Sequence, residues 1–221
     1  GNKFVVEAKR QLSGKLIGTE TMFAGASEIC VLADKYTDIN QIASSLVSQA
    51  EHDPDSQCIL ITKDKKIINL VITEIQNILS NLPRKKIAYK SLSNNGLFIF
   101  ANKDKEIIDI INEIAPEHLE LNIKDYKSYI SKIKNSGSIC LGKYAVMAMT
   151  DYNVGTNHIL PTNGSAKYSS GMSVNEFYKR ISYINLSKKG IESLGPSVIT
   201  LANYEGLIGH AQSVKKRIRR K

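Results

Sequence analysis

The sequence predicts an α/β protein: a mostly parallel, Rossmann-like sheet flanked by helices, followed by a small, mainly helical C-terminal region. Three observations carry this expectation. Short apolar runs that read as strands alternate with amphipathic helical segments as far as residue 150. Pro83 and Pro116 end two of the helical segments. Past Met149 the texture changes, and residues 151–172 are rich in Gly, Asn, Ser and Thr, which reads as a long functional loop.

The elements follow in order. Val5 to Arg10 reads as helix, and Glu28 to Ala33 is a short apolar strand. Asp38 to His52 is helical, because Ile39, Ile42, Ala43, Leu46, Val47 and Ala50 share one face and Thr37 or Asp38 can cap its start. Cys58 to Thr62 is a strand, and Asp64 to Asn81 a helix. Leu97 to Ala101 is a strand entered from an Asn95-Gly96 turn, and Lys103 to Ile114 a helix. Ala115-Pro116-Glu117-His118 reads as a tight loop, and Ser138 to Leu141 as the next strand. From Ser173 onward the chain reads as mainly helix with one short strand, Ile181 to Leu186. Such a β-α-β order places ligands at the carboxyl ends of the strands. There is no internal repeat or low-complexity tract.

Composition narrows the function classes. With 221 residues, 42% hydrophobic and 23% charged, the chain fits an ordinary globular protein. No apolar run approaches the roughly 20 residues of a membrane span, and Gly1-Asn2-Lys3-Phe4 has no signal-peptide core. A cytoplasmic setting is expected. The net charge of +9 comes from scattered lysines and one dense run, Lys215 to Lys221. No nucleic-acid-binding motif accompanies it, so RNA or DNA binding is not the expected role. Cys30, Cys58 and Cys140 are odd in number and widely spaced, which suits buried reduced thiols better than zinc or redox sites.

The chemistry concentrates around the four histidines, each one to seven residues from an acid. Gln49 and His52, three apart at a helix end, fit either an exposed helix terminus or half of a metal site. Asp151 opens the long loop and His158 follows it; together they suit either a chain turn or part of a coordination sphere. Glu205 and His210 lie on the last expected helix, five apart and so differently directed. Glu117-His118 is an acid and an imidazole side by side, able to divide proton work or simply to begin a helix after Pro116.

Taken in order, these stretches resemble the histidinol dehydrogenase family. The matching pieces are Gly1 to Val5 with Glu7 to Gln11, Ala24 to Glu28, Ser48 to Ser56, Ala115 to Glu120, and Gly137 to Ile139. They continue with Asp151 to Thr162, Ser169 to Val174 and Glu205 to His210. The resemblance implies oxidation of L-histidinol to L-histidine through L-histidinal, the last step of histidine biosynthesis, with two NAD reduced. It implies one zinc ion per subunit held by Gln49, His52, Asp151 and His210, with His118 as proton acceptor and Glu117 activating water. Ser27 and Glu205 are expected to join Gln49, His52, His118, Asp151 and His210 around the substrate, and Asn2 to touch NAD. His158 is given a structural or near-site role.

The resemblance also implies a homodimer in which the last helix reaches into the partner's site. It divides the chain into 1–24, a remnant of a first α/β domain; 25–150, a second Rossmann-like domain; and 151–221, an active-site loop and helical dimerisation region. The matched pieces cover about the C-terminal half of the family pattern. This chain alone is therefore expected to have little or no activity, whether it is a piece of a longer chain, a decayed copy, or one product of a split gene completed by a separate N-terminal half. Ala26 departs from the family's proline, and Thr21 stands where an acid is usual. The alternatives are an α/β binding or regulatory module, a zinc hydrolase, and an inactive fragment. Salt-dependent nucleic-acid binding marks the first, NAD-independent turnover the second.

Overall fold

The computed structural model describes residues 3–19 and 25–218. They divide into two compact units with the boundary between Phe177 and Tyr178. The first unit is α/β, as the sequence predicts. After an exposed helix α1 (Lys3–Leu12), it contains β1 (Glu28–Ala33), α2 (Ile39–Ala50), β2 (Gln57–Thr62), α3 (Lys65–Asn81) and α4 (Lys85–Asn95). Then come β3 (Gly96–Phe100), α5 (Asp104–Ile114), β4 (His118–Asn122), α6 (Lys127–Ile130), β5 (Ser138–Leu141) and α7 (Met147–Tyr152).

The five strands are all parallel, in the order β3-β2-β1-β4-β5. The chain therefore reverses its direction of travel across the sheet between β1 and β4. Period-two alternation sorts the side chains of β1. Ile29, Val31 and Ala33 join the core under α2, α3 and α4, while Cys30 and Leu32 join Ile107 and Ile111 of α5 on the opposite face. Burial on both faces is why β1 reads as an unbroken apolar run. Helix α2 starts where the Asp38 carboxylate accepts the Asn40 N–H at 2.8 Å, and α3 where Asp64 accepts from Lys66 at 2.9 Å. Each satisfies one otherwise unpaired amide of the first turn.

Four expectations change. Helix α4 was not expected, and the supposed Asn95-Gly96 turn is a direct passage from α4 into β3. A Cβ on Gly96 would come within 2.3 Å of the Leu92 carbonyl oxygen, so only glycine allows the passage. Glu117-His118 does not sit in a tight loop: His118 begins β4, which is inserted between β1 and β5. Leu119 and Leu121 face the α5 core. The alternate positions His118, Glu120 and Asn122 are buried polar groups, and that polarity disguises the strand. Asp151 lies within α7 rather than at the head of a loop. Ile181 to Leu186 forms no strand; Ile181 and Ile184 are exposed.

Between α5 and β4 the chain turns in three residues. Ala115 adopts a left-handed conformation (φ 50°) directly before Pro116, a combination disfavoured twice over. Ala115 is fully buried, and its N–H donates to the Ile111 carbonyl at 2.9 Å. The three cysteines are buried free thiols, each pushed up to about 12 chiefly by burial. Among the described residues no helix is long and apolar enough to cross a membrane.

The second unit is a helical hairpin of α8 (Lys188–Tyr204) and α9 (Ile208–Ile218). Ser187 caps α8 by accepting the Gly190 N–H at 3.1 Å. Gly206 turns the chain with φ 74°. A Cβ on Gly195 would lie 2.2 Å from the Ile218 side chain, so glycine sets how closely the two helices approach.

Candidate functional site

The buried acids and imidazole of the first unit gather at the amino edge of the sheet, not at the carboxyl edge that the β-α-β order suggests. Glu28 is the first residue of β1, His118 of β4 and Ser138 of β5. Helix α2 runs antiparallel to the strands, as a crossover helix must, so its last turn brings Gln49 to this same edge. The carboxyl edge instead holds a separate cavity of about 450 Å³ between Ala33, Lys63, Asp104 and Tyr129.

Parallel register sets Glu28 beside Glu117, since the next residues, Ile29 and His118, are partners. The two acids clasp each other's backbone. The Glu28 N–H donates to Glu117 Oε2 at 2.8 Å, and the Glu117 N–H to Glu28 Oε2 at 3.3 Å. Glu28 Oε1 also accepts the Asn163 N–H at 2.9 Å. The Gly25 N–H donates to Thr162 Oγ1 at 2.6 Å. The segment around Asn163 is thus tied to the entrance of β1. Burial raises the Glu28 carboxyl, and pushes that of Glu117 up to about 8 with help from the charges of Glu28 and Asp151.

His118 is 3% exposed. Its Nδ1 lies 3.0 Å from Ser138 Oγ, in hydrogen-bond contact. Its Nε2 looks the other way, 3.9 Å from Glu117 Oε1 and 3.8 Å from Asp151 Oδ1. Burial, then the nearby charge of His52, brings the imidazole down to about 4. The ring is therefore neutral at pH 7 and has a nitrogen lone pair to offer. Burial raises the Asp151 carboxyl, opposed by the charges of His52 and His158.

Gln49 and His52 do not share an exposed flank. Helix α2 ends at Ala50, so His52 sits in the following turn, exposed, with its carbonyl accepting from Arg84 Nη2 at 3.3 Å. Gln49 is 1% exposed, and neither polar atom of its amide has a hydrogen-bond partner among the described residues. Asp151 Oδ1 is also buried without one. Buried polar atoms are rarely left so. An orphaned carboxylate oxygen 3.8 Å from an imidazole, with an orphaned amide at the end of α2, fits a cation or a polar ligand.

The remaining expected site residues are distributed as follows. Ser27 is half-buried just before β1, its carbonyl accepting the Gln57 N–H at 2.9 Å. Glu205 is the C-terminal cap of α8 and His210 lies in the first turn of α9. They therefore stand on two helices of the second unit, not on one. Asn2, Thr21 and Ala24 lie outside the described residues. His158 is exposed. Among the described residues no three His, Cys, Asp or Glu side chains converge to hold a metal by themselves.

Two residues take part without having been assigned a role from sequence, Glu28 and Ser138. An acid opening an apolar strand was the available signal for Glu28. For Ser138, only its parallel pairing with His118 reveals the contact. Beside Ser138 a cavity of about 580 Å³ opens between Gly137, Gly155, Asn157, Leu160 and Met172.

The sequence model of the histidinol dehydrogenase family matches residues 1–218. The chain is 66% identical over 221 residues to histidinol dehydrogenase of Pelagibacter ubique, covering 100% of this chain and 51% of that one. It is 46% identical over 217 residues to the Listeria monocytogenes enzyme of that name, covering 98% and 50%. The crystal structure of histidinol dehydrogenase from Elizabethkingia anophelis superimposes with a TM-score of 0.94 at 38% identity, over 99% of this chain and 50% of that one. The chain spans about half the length of the curated relatives it matches. With the family's motifs laid along its whole length, this chain belongs to the histidinol dehydrogenase family.

Proposed function

We propose that the chain carries the metal- and proton-handling part of an NAD-dependent histidinol dehydrogenase, which oxidises L-histidinol to L-histidine through L-histidinal. One observation carries the reading: a buried, neutral imidazole whose Nε2 faces two carboxyls, one of them Asp151 with an oxygen buried and unpartnered among the described residues. Gln49, His52 and Asp151, with His210 from a second copy of the chain, would hold a zinc ion. That ion supplies a Lewis-acidic anchor for the substrate's imidazole and amine. Asn2 would contact NAD, which would serve as the hydride acceptor for both oxidations.

The chain's own groups do the rest. His118 Nε2 accepts the alcohol proton as the hydride leaves. Glu117, with Oε2 clasped by the Glu28 N–H, has Oε1 left to hold and deprotonate the water that adds to the aldehyde. Burial keeps its carboxyl protonated at pH 7 in the chain as described, and a bound divalent cation beside it would draw the proton off. Ser27 and Glu205 join the substrate's contacts, Glu205 together with His210 across a homodimer with shared sites. The enzyme would be cytoplasmic, and its complete form would include the N-terminal half of the family pattern. Neither a zinc hydrolase nor a nucleic-acid-binding module accounts for family motifs matched from residue 1 to 218.

The test is a chimera. The N-terminal half of the Pelagibacter ubique relative is joined to this chain, and histidinol-dependent NADH formation is measured. Activity is expected, lost in H118A with zinc retained. A folded, zinc-bound chimera that forms no NADH on histidinol overturns the reading.

A further inference from the structure

Among the described residues, the hydroxyl of Ser138 is the one hydrogen-bond partner that distinguishes the two nitrogens of His118. Nδ1 lies 3.0 Å from Ser138 Oγ, whereas Nε2 has carboxyl oxygens only at 3.8 and 3.9 Å, too far for a hydrogen bond. The contact is built into the sheet: Ser138 and His118 are paired first residues of neighbouring parallel strands. Around Ser138 the backbone is held from three sides. The Ser138 N–H donates to the Glu117 carbonyl at 2.8 Å, and the Gly137 N–H to the Pro116 carbonyl at 3.0 Å. Ser136 Oγ donates to the Ser138 carbonyl at 2.8 Å. A side chain on residue 137 would meet the Glu117 carbonyl oxygen at 2.6 Å, so the glycine lets β5 start close against the acid–imidazole pair.

We propose that Ser138 is a positioning residue that sets the tautomer of His118. Ser138 Oγ accepts the Nδ1–H and leaves Nε2 bare toward the space shared by Glu117 and Asp151. A neutral imidazole carries one N–H, and the nitrogen that holds it is decided by the partner of the other. The role rests on the reading of His118 as proton acceptor, because a base acting at Nε2 needs that lone pair free. Among the described residues no other partner enforces it. A flip of the ring is disfavoured, since it would carry Nδ1 away from the one oxygen among those residues within hydrogen-bond distance.

The test is ¹⁵N NMR of the imidazoles in the 221-residue chain at neutral pH, with the His118 signals assigned by their loss in H118A. In the wild type we expect a protonated Nδ1 and an unprotonated Nε2. S138A should shift the population toward the Nε2–H tautomer or into exchange between the two, and S138T, which keeps the oxygen, should restore the wild-type pattern. A wild type with an unprotonated Nδ1, or an S138A spectrum identical to it, overturns the proposal. If S138T fails to fold, the wild-type and S138A spectra still decide. This readout needs neither NAD nor histidinol. A correct tautomer in a chimera without histidinol turnover would therefore refute the proposed activity and leave the positioning role standing, and the reverse result would do the opposite.

Discussion

Replacing Glu117 by glutamine should stabilise the first unit, and the gain should grow with pH. Glu117 is 6% exposed, and its carboxyl is pushed from an ordinary value of 4.5 up to about 8. The unfolded chain gives up this proton near 4.5, and the folded chain not until about 8. Between those values the folded state holds one proton more, so its stability falls as pH rises. Each pH unit costs about 1.4 kcal/mol until the folded carboxyl itself begins to ionise, which accumulates to about 3 kcal/mol at pH 7 and about 4 kcal/mol at pH 8. E117Q has no proton to lose. Its amide oxygen can still accept the Glu28 N–H, and its NH₂ replaces the oxygen that faces His118 and Asp151. Urea denaturation with a metal chelator present, followed by circular dichroism at pH 5, 7 and 8, reads the difference. The two proteins should be nearly equal at pH 5, with E117Q ahead by about 3 kcal/mol at pH 7 and further ahead at pH 8. Parallel pH curves for the two would refute the reasoning, because the neighbouring raised acids, Glu28 and Glu120, are common to both.

Three further outcomes are expected. H52A should lose zinc on dialysis, whereas H118A should keep it; elemental analysis of both decides, and one retained zinc per chain in H52A removes His52 from the ligand set. G137A should lower stability by about 1–3 kcal/mol, since the new methyl group meets the Glu117 carbonyl oxygen at 2.6 Å and Pro161 at 3.1 Å; an unchanged urea midpoint would contradict this. L119A should cost about 2–5 kcal/mol, because Leu119 is fully buried between β1 and β5 in the α5 core; a loss under 1 kcal/mol in the same assay would show that the strand is not central.

Much of the sheet was legible because β1 and β2 are buried on both faces and so appear as unbroken apolar runs. β4 was not, because His118, Glu120 and Asn122 are buried polar residues whose partners come from afar. The Met147 N–H, for example, donates to Glu120 Oε1 at 2.8 Å. Helix α4 was hidden by its composition, Lys85 to Asn95 offering few apolar residues, with Ala88 and Ser91 buried and Leu92 partly buried against the core. The resemblance singled out Gln49, Glu117, His118 and Asp151; the first unit brings His118 to within 4 Å of Glu117 and Asp151 and buries the Gln49 amide at the end of α2. Local spacing alone misjudged Gln49 as lying off the apolar face, since a buried amide without a partner has no signature in sequence. Glu28 and Ser138 required the register between parallel strands, which no short window contains.

The turn between α5 and β4 has a mechanical consequence. Ala115, in its left-handed conformation, and Pro116 leave no slack between the last turn of the helix and the acid–imidazole pair. Any axial slip of α5 would arrive at the His118 ring undamped, as through a rigid coupling. Mutations that loosen the seating of Ile107 or Ile111, both fully buried on α5, should therefore blur the placement of an imidazole they never touch.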